Sequence, residues 1–321
     1  MSYRTFWSTA LLLVTAVWGW SFVAKHETLT NMAPSTLNAW MFTLAALALL
    51  PFSIRSFRYL NRRDWASAVF AGIVLFVAFS LQTSGTALTT PSNAGFITGL
   101  CTVFTPLFVY FIGKGRPSPK QAAGTVIAVF GLGLLSLDGF ALHYGDLLIL
   151  GCAACFALHI VIVSTFATPA ISMASTSIQL GLVGSLSLIW SLAGNQFSFP
   201  SALPTTVTIL SLGLFATALA YAIQNRAQAV LTPEKVALIL ICEPVFSGAF
   251  GYLLAGDRLP PERLAGAALI LLGIAVTELR IARTQGDDKT CSDLMKPDTH
   301  LGENARQNEV SDDQTTPYLF P

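Results

Sequence analysis

Ten apolar runs fill the chain between residues 5 and 281, at 6–24, 34–54, 65–85, 94–113, 121–137, 146–165, 173–193, 206–225, 236–255 and 264–281. From Phe166 to Asn225 there is no Asp, Glu, Lys or Arg. A helix of about 20 apolar residues crosses roughly 30 Å of hydrocarbon and satisfies its own backbone hydrogen bonds. A transmembrane β-barrel would instead show alternating segments of about ten residues, and the chain has none. The pattern predicts an all-α integral membrane protein with ten transmembrane helices in the lipid bilayer.

Composition sharpens this. Of 321 residues, 53% are hydrophobic and 11% charged, with a mean hydropathy of +0.63. A soluble domain carries about a quarter charged residues, so this chain has too little charge to coat a globule. Arg4 followed by an apolar run resembles the opening of a signal peptide. The run is long, though, and no A-x-A site precedes Lys25, so it reads as a retained first helix. With both termini cytoplasmic, the inner segments hold Arg4, Arg55, Arg58, Arg62, Arg63, Lys114, Arg116, Lys120, Arg226, Lys235, Arg280 and Arg283. The outer loops hold Lys25, Arg258 and Arg263. This positive-inside bias favours that orientation, in a bacterial inner membrane. Residues 284–321 carry eight acidic and three basic residues and few apolar ones, the composition of a disordered cytoplasmic tail.

Sliding the chain by 142 residues aligns 82–131 with 224–273 and gives 14 identities in 50 positions without a gap. The matches include Gln82, Thr90, Pro91, Phe104, Tyr110, Arg116, Pro119, Ala123, Gly124 and Gly131. The chain divides into five-span repeats at 1–140 and 141–283. An odd number of spans makes the second repeat enter the membrane upside down, and sites in inverted-repeat transporters lie near the midplane between the halves.

Three segments carry a family resemblance. Span 1 ends in Trp18-Gly19-Trp20-Ser21-Phe22-Val23-Ala24-Lys25. Repeat one ends with the stretch from Gly113 to Gly124. Repeat two ends with Glu243-Pro244-Val245-Phe246 and Gly256-Asp257-Arg258-Leu259. On these the chain resembles the EamA-type permeases of the drug/metabolite transporter superfamily. The resemblance implies a ten-helix basket around a central cavity and a role in metabolite or amino-acid efflux. Asp257 stands where the family has Glu, and Gly115 is its counterpart in repeat one.

Glu243 is the only formal charge between Val236 and Gly256. An ionisable group inside a membrane span faces the bundle interior and marks a solute or proton path. Pro244 beside it cannot donate to the helix ladder and leaves the Leu240 carbonyl free. Pro106 is a second expected helix break. His159, in the middle of span 6, forms one stripe with Cys152 and Cys155, and an imidazole with a pKa of about 6.5 suits proton coupling. Lys25 closes span 1 on the outer side, on the face of Trp18 and Phe22; it either attracts a carboxylate or snorkels to the headgroups. Uncharged polar positions suggest cavity walls or interhelical hydrogen bonds: Ser21, Asn38, Gln82, Thr98, Thr102, Gln179, Thr217, Tyr221 and Gln224, with Trp18 and Phe22 as aromatic cavity-wall candidates. Spans 5 and 10 are rich in Gly and Ala, as in helices that pack closely or form a homodimer.

A small-molecule solute is the expected partner. Nucleic acid, cofactor and metal are not expected: Cys152-x-x-Cys155 has no second ligand pair, and no phosphate-binding Walker sequence is present. An intramembrane enzyme would need a reactive cluster that the spans lack. The leading function is a secondary transporter exporting a small organic solute by alternating access, with proton exchange through Glu243. An importer of the same fold and a non-transporting scaffold are the alternatives.

Overall fold

The computed structural model describes residues 3–111, 118–138, 141–166, 168, 170–228, 231, 239–240, 242–258 and 260–278. Lys114, Arg116, Lys235, Arg280, Arg283, part of the Gly113–Gly124 motif, Cys291 and the tail at 284–321 lie outside the described residues.

Polar punctuation in the chain sets the helix boundaries. Helix α1 (Tyr3–Leu29) ends in a turn through Thr30 and Asn31. Helix α2 (Pro34–Phe57) begins with a proline at its first position, where the missing N–H breaks no bond. Helix α3 (Arg62–Thr86) opens with a capping box: Asn61 Oδ1 accepts from the Asp64 amide at 2.9 Å, and Asp64 Oδ2 accepts from the Asn61 amide at 3.1 Å. Thr90 caps α4 (Pro91–Thr98), and α5 (Cys101–Phe111) continues the same span. The interruption falls at Gly99–Leu100. Pro106 lies inside α5 without ending it, which corrects the expected break; Thr102, whose carbonyl loses a donor to Pro106, turns its hydroxyl to the Gly99 carbonyl at 3.0 Å.

Helix α6 (Pro119–Ser136) leads through a two-residue antiparallel ladder, Leu137–Asp138 against Ala141–Leu142, to α7 (Tyr144–Ser164). This ladder is the one departure from all-helical structure among the described residues. Helix α8 (Ser172–Ala193) follows. The next span runs through α9 (Leu203–Ser211), a π-helical stretch (Leu212–Leu219) and α10 (Ala220–Gln228). Helix α11 (Cys242–Phe250) passes into a short π turn (Gly251–Ala255), and α12 (Pro261–Glu278) follows. Pro244 lies within α11, and the helix runs on past it to Phe250.

Seven of these segments are long and apolar enough to cross a membrane: Thr5–Leu29, Pro34–Phe57, Arg62–Thr86, Pro91–Phe111, Tyr144–Val163, Ser172–Ala193 and Leu203–Gln224. Large apolar side chains such as Leu47, Phe52, Phe111, Phe130, Leu203 and Leu253 point outward. That surface suits lipid and would be a liability in water.

The two larger apolar clusters among the described residues hold most of the helices together. One joins α2, α3, α8 and the π stretch through Phe42, Leu75, Phe79, Leu180, Val183 and Leu212. The other joins α1, α4, α7 and α12 through Phe22, Phe96, Ile97, Ile149, Ile270 and Ile274. The most extensive helix pairs are α6 with α12, α2 with α8, and α3 with α7. In the first, a Cβ on Gly131 would lie 2.6 Å from the Gly266 carbonyl oxygen, and one on Gly273 would lie 2.6 Å from that of Gly124. The small faces of spans 5 and 10, expected as packing or dimer surfaces, are therefore used against each other within the chain.

Candidate functional site

Helix α1 does not stop at Lys25 but runs one turn further, and this carries the lysine into the protein. Lys25 is 4% exposed. It is neither a loop residue nor a headgroup anchor, which corrects its expected place at the end of span 1. Its Nζ donates to Gln82 Oε1 of α3 at 2.9 Å. The same ammonium lies 5.4 Å from the ring centroid of Phe22 and 5.6 Å from that of Phe79, within cation–π range. Phe79 is itself held edge-on by Phe156 at 5.1 Å and against Phe42 at 4.5 Å.

Glu243 enters from the first turn of α11, half-buried. Its charge interacts with that of Lys25, and Cys152 lies within electrostatic reach of both. Tyr221 of α10 also senses Glu243. Among the described residues nothing hydrogen-bonds the Glu243 carboxylate. The approach of α11 to α1 depends on Gly19, where a Cβ would sit 2.6 Å from the Phe246 Cβ. Trp18 stacks edge-to-face on Tyr221 at 5.9 Å and donates its indole N–H to the Ala216 carbonyl at 2.8 Å. That carbonyl lies in the π stretch. There the helix ladder is offset and Thr217 reaches back five residues to the Leu212 carbonyl at 2.9 Å.

The fold thus gathers Lys25, Gln82, Phe22, Glu243, Tyr221 and Trp18 around one locus. His159 belongs to a second group: its Nε2 meets Gln179 Oε1 at 2.6 Å, and Gln179 Nε2 donates to Ser175 Oγ at 2.8 Å, tying α7 to α8. Asn38 is an interhelical strut, donating to the Phe79 carbonyl at 3.2 Å and accepting from Thr83 at 2.7 Å. Ser21 turns back to the Trp18 carbonyl. Thr98 is buried with its hydroxyl unpartnered, and Gln224 is half-buried. Cys152 and Cys155 are free thiols, and among the described residues no cluster of three His, Cys, Asp or Glu could hold a metal ion. Two apolar grooves of about 570 and 550 Å³ open outward, one between α1 and α10 and one along α6. Neither is lined by Lys25 or Glu243.

Two buried carboxylates stand out that the sequence did not mark as site residues. Asp257 Oδ2 accepts from the Ser92 amide at 3.0 Å and its hydroxyl at 2.5 Å, at the positive end of α4. Asp146, in the first turn of α7, accepts from Thr89 Oγ1 at 2.5 Å. Both grip the turn between α3 and α4. Asp146 stands at the edge of the sixth apolar run, but its partner is 57 positions away and no local pattern points to it.

The description "EamA-like transporter family" fits residues 5–137 and again residues 143–279. The chain belongs to that family. This EamA-like protein is 31% identical over 283 residues to an uncharacterized transporter of Archaeoglobus fulgidus, covering 87% of each chain. It is 27% identical over 291 residues to an Escherichia coli protein named "Probable amino-acid metabolite efflux pump", covering 83% of this chain and 92% of that one. A protein of known crystal structure shares its fold with a TM-score of 0.59 at 21% identity, over 86% of this chain and 98% of the other. The EamA-like protein is a multi-pass membrane transporter and not an enzyme.

Proposed function

We propose that this transporter is a secondary exporter of a small organic solute such as an amino acid, metabolite or drug. It works by alternating access around Lys25, Gln82 and Glu243, with Glu243 exchanging protons. The observation that carries this is a buried ammonium on α1, hydrogen-bonded to Gln82 of α3, with the Glu243 carboxylate of α11 within its electrostatic reach. Intramembrane ions of this kind mark solute and proton paths. The name of the Escherichia coli relative supports efflux as the direction.

The architecture is ten spans in two inverted five-span repeats, about 1–140 and 141–283, enclosing a central cavity. The helix pairing supports it. Helix α2 packs on α8, α6 on α12 and α4 on α11, each joining a span to its counterpart in the other half. Further contacts exchange in pairs: α3 with α7 answers α1 with α10, and α3 with α8 answers α2 with the π stretch. Hydrogen bonds also gather the end of α1 (His26), the end of α3 (Thr86, Thr89) and the start of α7 (Asp146). So α1 finishes where α7 begins, as inversion requires. That end faces outward from a bacterial inner membrane, with both termini cytoplasmic. A homodimer through spans 5 and 10 would use the outer faces of α6 and α12, since their small residues are already engaged.

The test is efflux from proteoliposomes with Glu243→Gln. Flux is expected to fall at least about tenfold and to lose its response to an imposed pH gradient. Wild-type rates with the same pH response would remove Glu243 from the mechanism.

A further inference from the structure

An ammonium has three N–H donors. Among the described residues, Lys25 uses one of them, on Gln82. The faces of Phe22 and Phe79 also flank it; they favour a cation but accept no conventional hydrogen bond. Gln82 is 3% exposed. Its side-chain oxygen is committed to Lys25, and its NH₂ group has no acceptor among the described residues. Beyond the bond that they share, these two buried side chains from different helices present further N–H donors with no acceptor among the described residues. Donors grouped in this way suit an oxyanion, whose lone pairs accept charge-assisted hydrogen bonds.

The electrostatics narrow its class. Lys25 is the cation at this locus, and the Glu243 carboxylate interacts with it. With Glu243 in the protonated state of its proposed proton exchange, a monoanion balances the lysine, whereas a phosphate dianion leaves an excess negative charge. An amine would be repelled by Lys25, and the N–H groups of Lys25 and Gln82 offer it no acceptor. The aromatic rings Phe22 and Phe79 flank the ammonium, and Trp18 and Tyr221 stand at the same locus near Glu243. They suit an apolar body attached to the anionic head.

We propose that Lys25 and Gln82 form the receptor for a carboxylate group on the transported solute. This rests on the transport function proposed above and names the chemistry of its substrate. Selection of a carboxylate over its amide follows from the same donors. The amide offers one neutral acceptor and brings two further N–H groups into a region already rich in them.

The test is the melting temperature of the purified full-length protein in detergent, with phenylacetate, phenylacetamide, phenethylamine and phenyl phosphate as isosteric probes. Phenylacetate is expected to raise the melting temperature of wild type saturably by about 2 °C or more, while the other three do not. The shift should vanish in Lys25→Met and survive in part in Lys25→Arg. An equal shift with the amide, a larger one with the phosphate, no shift with phenylacetate, or a carboxylate shift persisting in Lys25→Met would overturn the proposal. The comparison of probes on wild type decides the matter even if Lys25→Met does not fold. Flux in proteoliposomes, measured separately, keeps the two ideas apart: flux without a carboxylate shift retires the receptor alone, and a carboxylate shift without flux retires transport alone.

Discussion

Lys25 and Gln82, 57 positions apart in the chain, meet at 2.9 Å between α1 and α3. The bond ties a buried ammonium to a neutral oxygen rather than to an anion. A lysine held this way is fixed in place while its charge stays available, which a tight ion pair would not allow.

Replacing Gln82 separates these roles. Gln82→Leu removes the acceptor and leaves the ammonium unbonded, at a cost of about 1–3 kcal/mol; both melting temperature and flux should fall. Gln82→Glu supplies a full charge partner. It should keep the melting temperature at or above wild type while flux drops, because the lysine is neutralised. Wild-type flux in Gln82→Glu would show that the charge on Lys25 does not matter to transport.

Asp257 satisfies both the amide and the hydroxyl of Ser92 at the start of α4. Asp257→Leu should destabilise the protein by about 1–2 kcal/mol, and Asp257→Asn, which keeps an acceptor oxygen, by less. Thermal unfolding in detergent measures both. Equal stability of the leucine variant would mean that the α4 terminus does not need this acceptor.

Helix spacing at α6 and α12 gives a contrast between two glycines. Gly131 has no room for a Cβ, whereas a Cβ on Gly181 would meet the Ala46 Cβ at an ordinary 3.8 Å. Gly131→Ala should cost about 1–3 kcal/mol by overpacking, and Gly181→Ala should fall within about 0.5 kcal/mol of wild type. The ratio of folded yields and the two melting curves report the difference.

Orientation is open to labelling. In a cysteine-free background, single cysteines at Asn195, exposed just after α8, and at Arg62, exposed at the start of α3, should react with an impermeant maleimide from opposite faces. Asn195 is expected to label in intact cells and Arg62 only after lysis. Labelling of both from one face would reverse the proposed threading.

Membrane residence, the positions of the seven long apolar helices and the family were legible in the chain, because each depends on local or repeated pattern. Apolar length is a property of consecutive residues, and an offset of 142 can be found without coordinates. Glu243 and Lys25 were visible as charges in apolar surroundings. Their partners were not. Nothing local pairs Lys25 with Gln82 rather than with lipid headgroups, and the extra turn of α1 that buries the lysine has no sequence marker. The polar stripes were equally ambiguous. Asn38 and Gln179 proved to be bonded between helices, and the π stretch at Leu212–Leu219 shifts the facing of Thr217 and Tyr221 away from simple 3.6-residue periodicity.

The amino-acid sequence by itself determined that this is a multi-span helical transporter, since burying backbone polar groups in hydrocarbon leaves few structures available. Which small residues meet, which carboxylate caps which helix, and which amide receives Lys25 were decided only by tertiary packing. Those pairings join residues far apart in the chain, and helix–helix contact in a membrane depends on shape and hydrogen bonding rather than on a hydrophobic pattern the sequence could display.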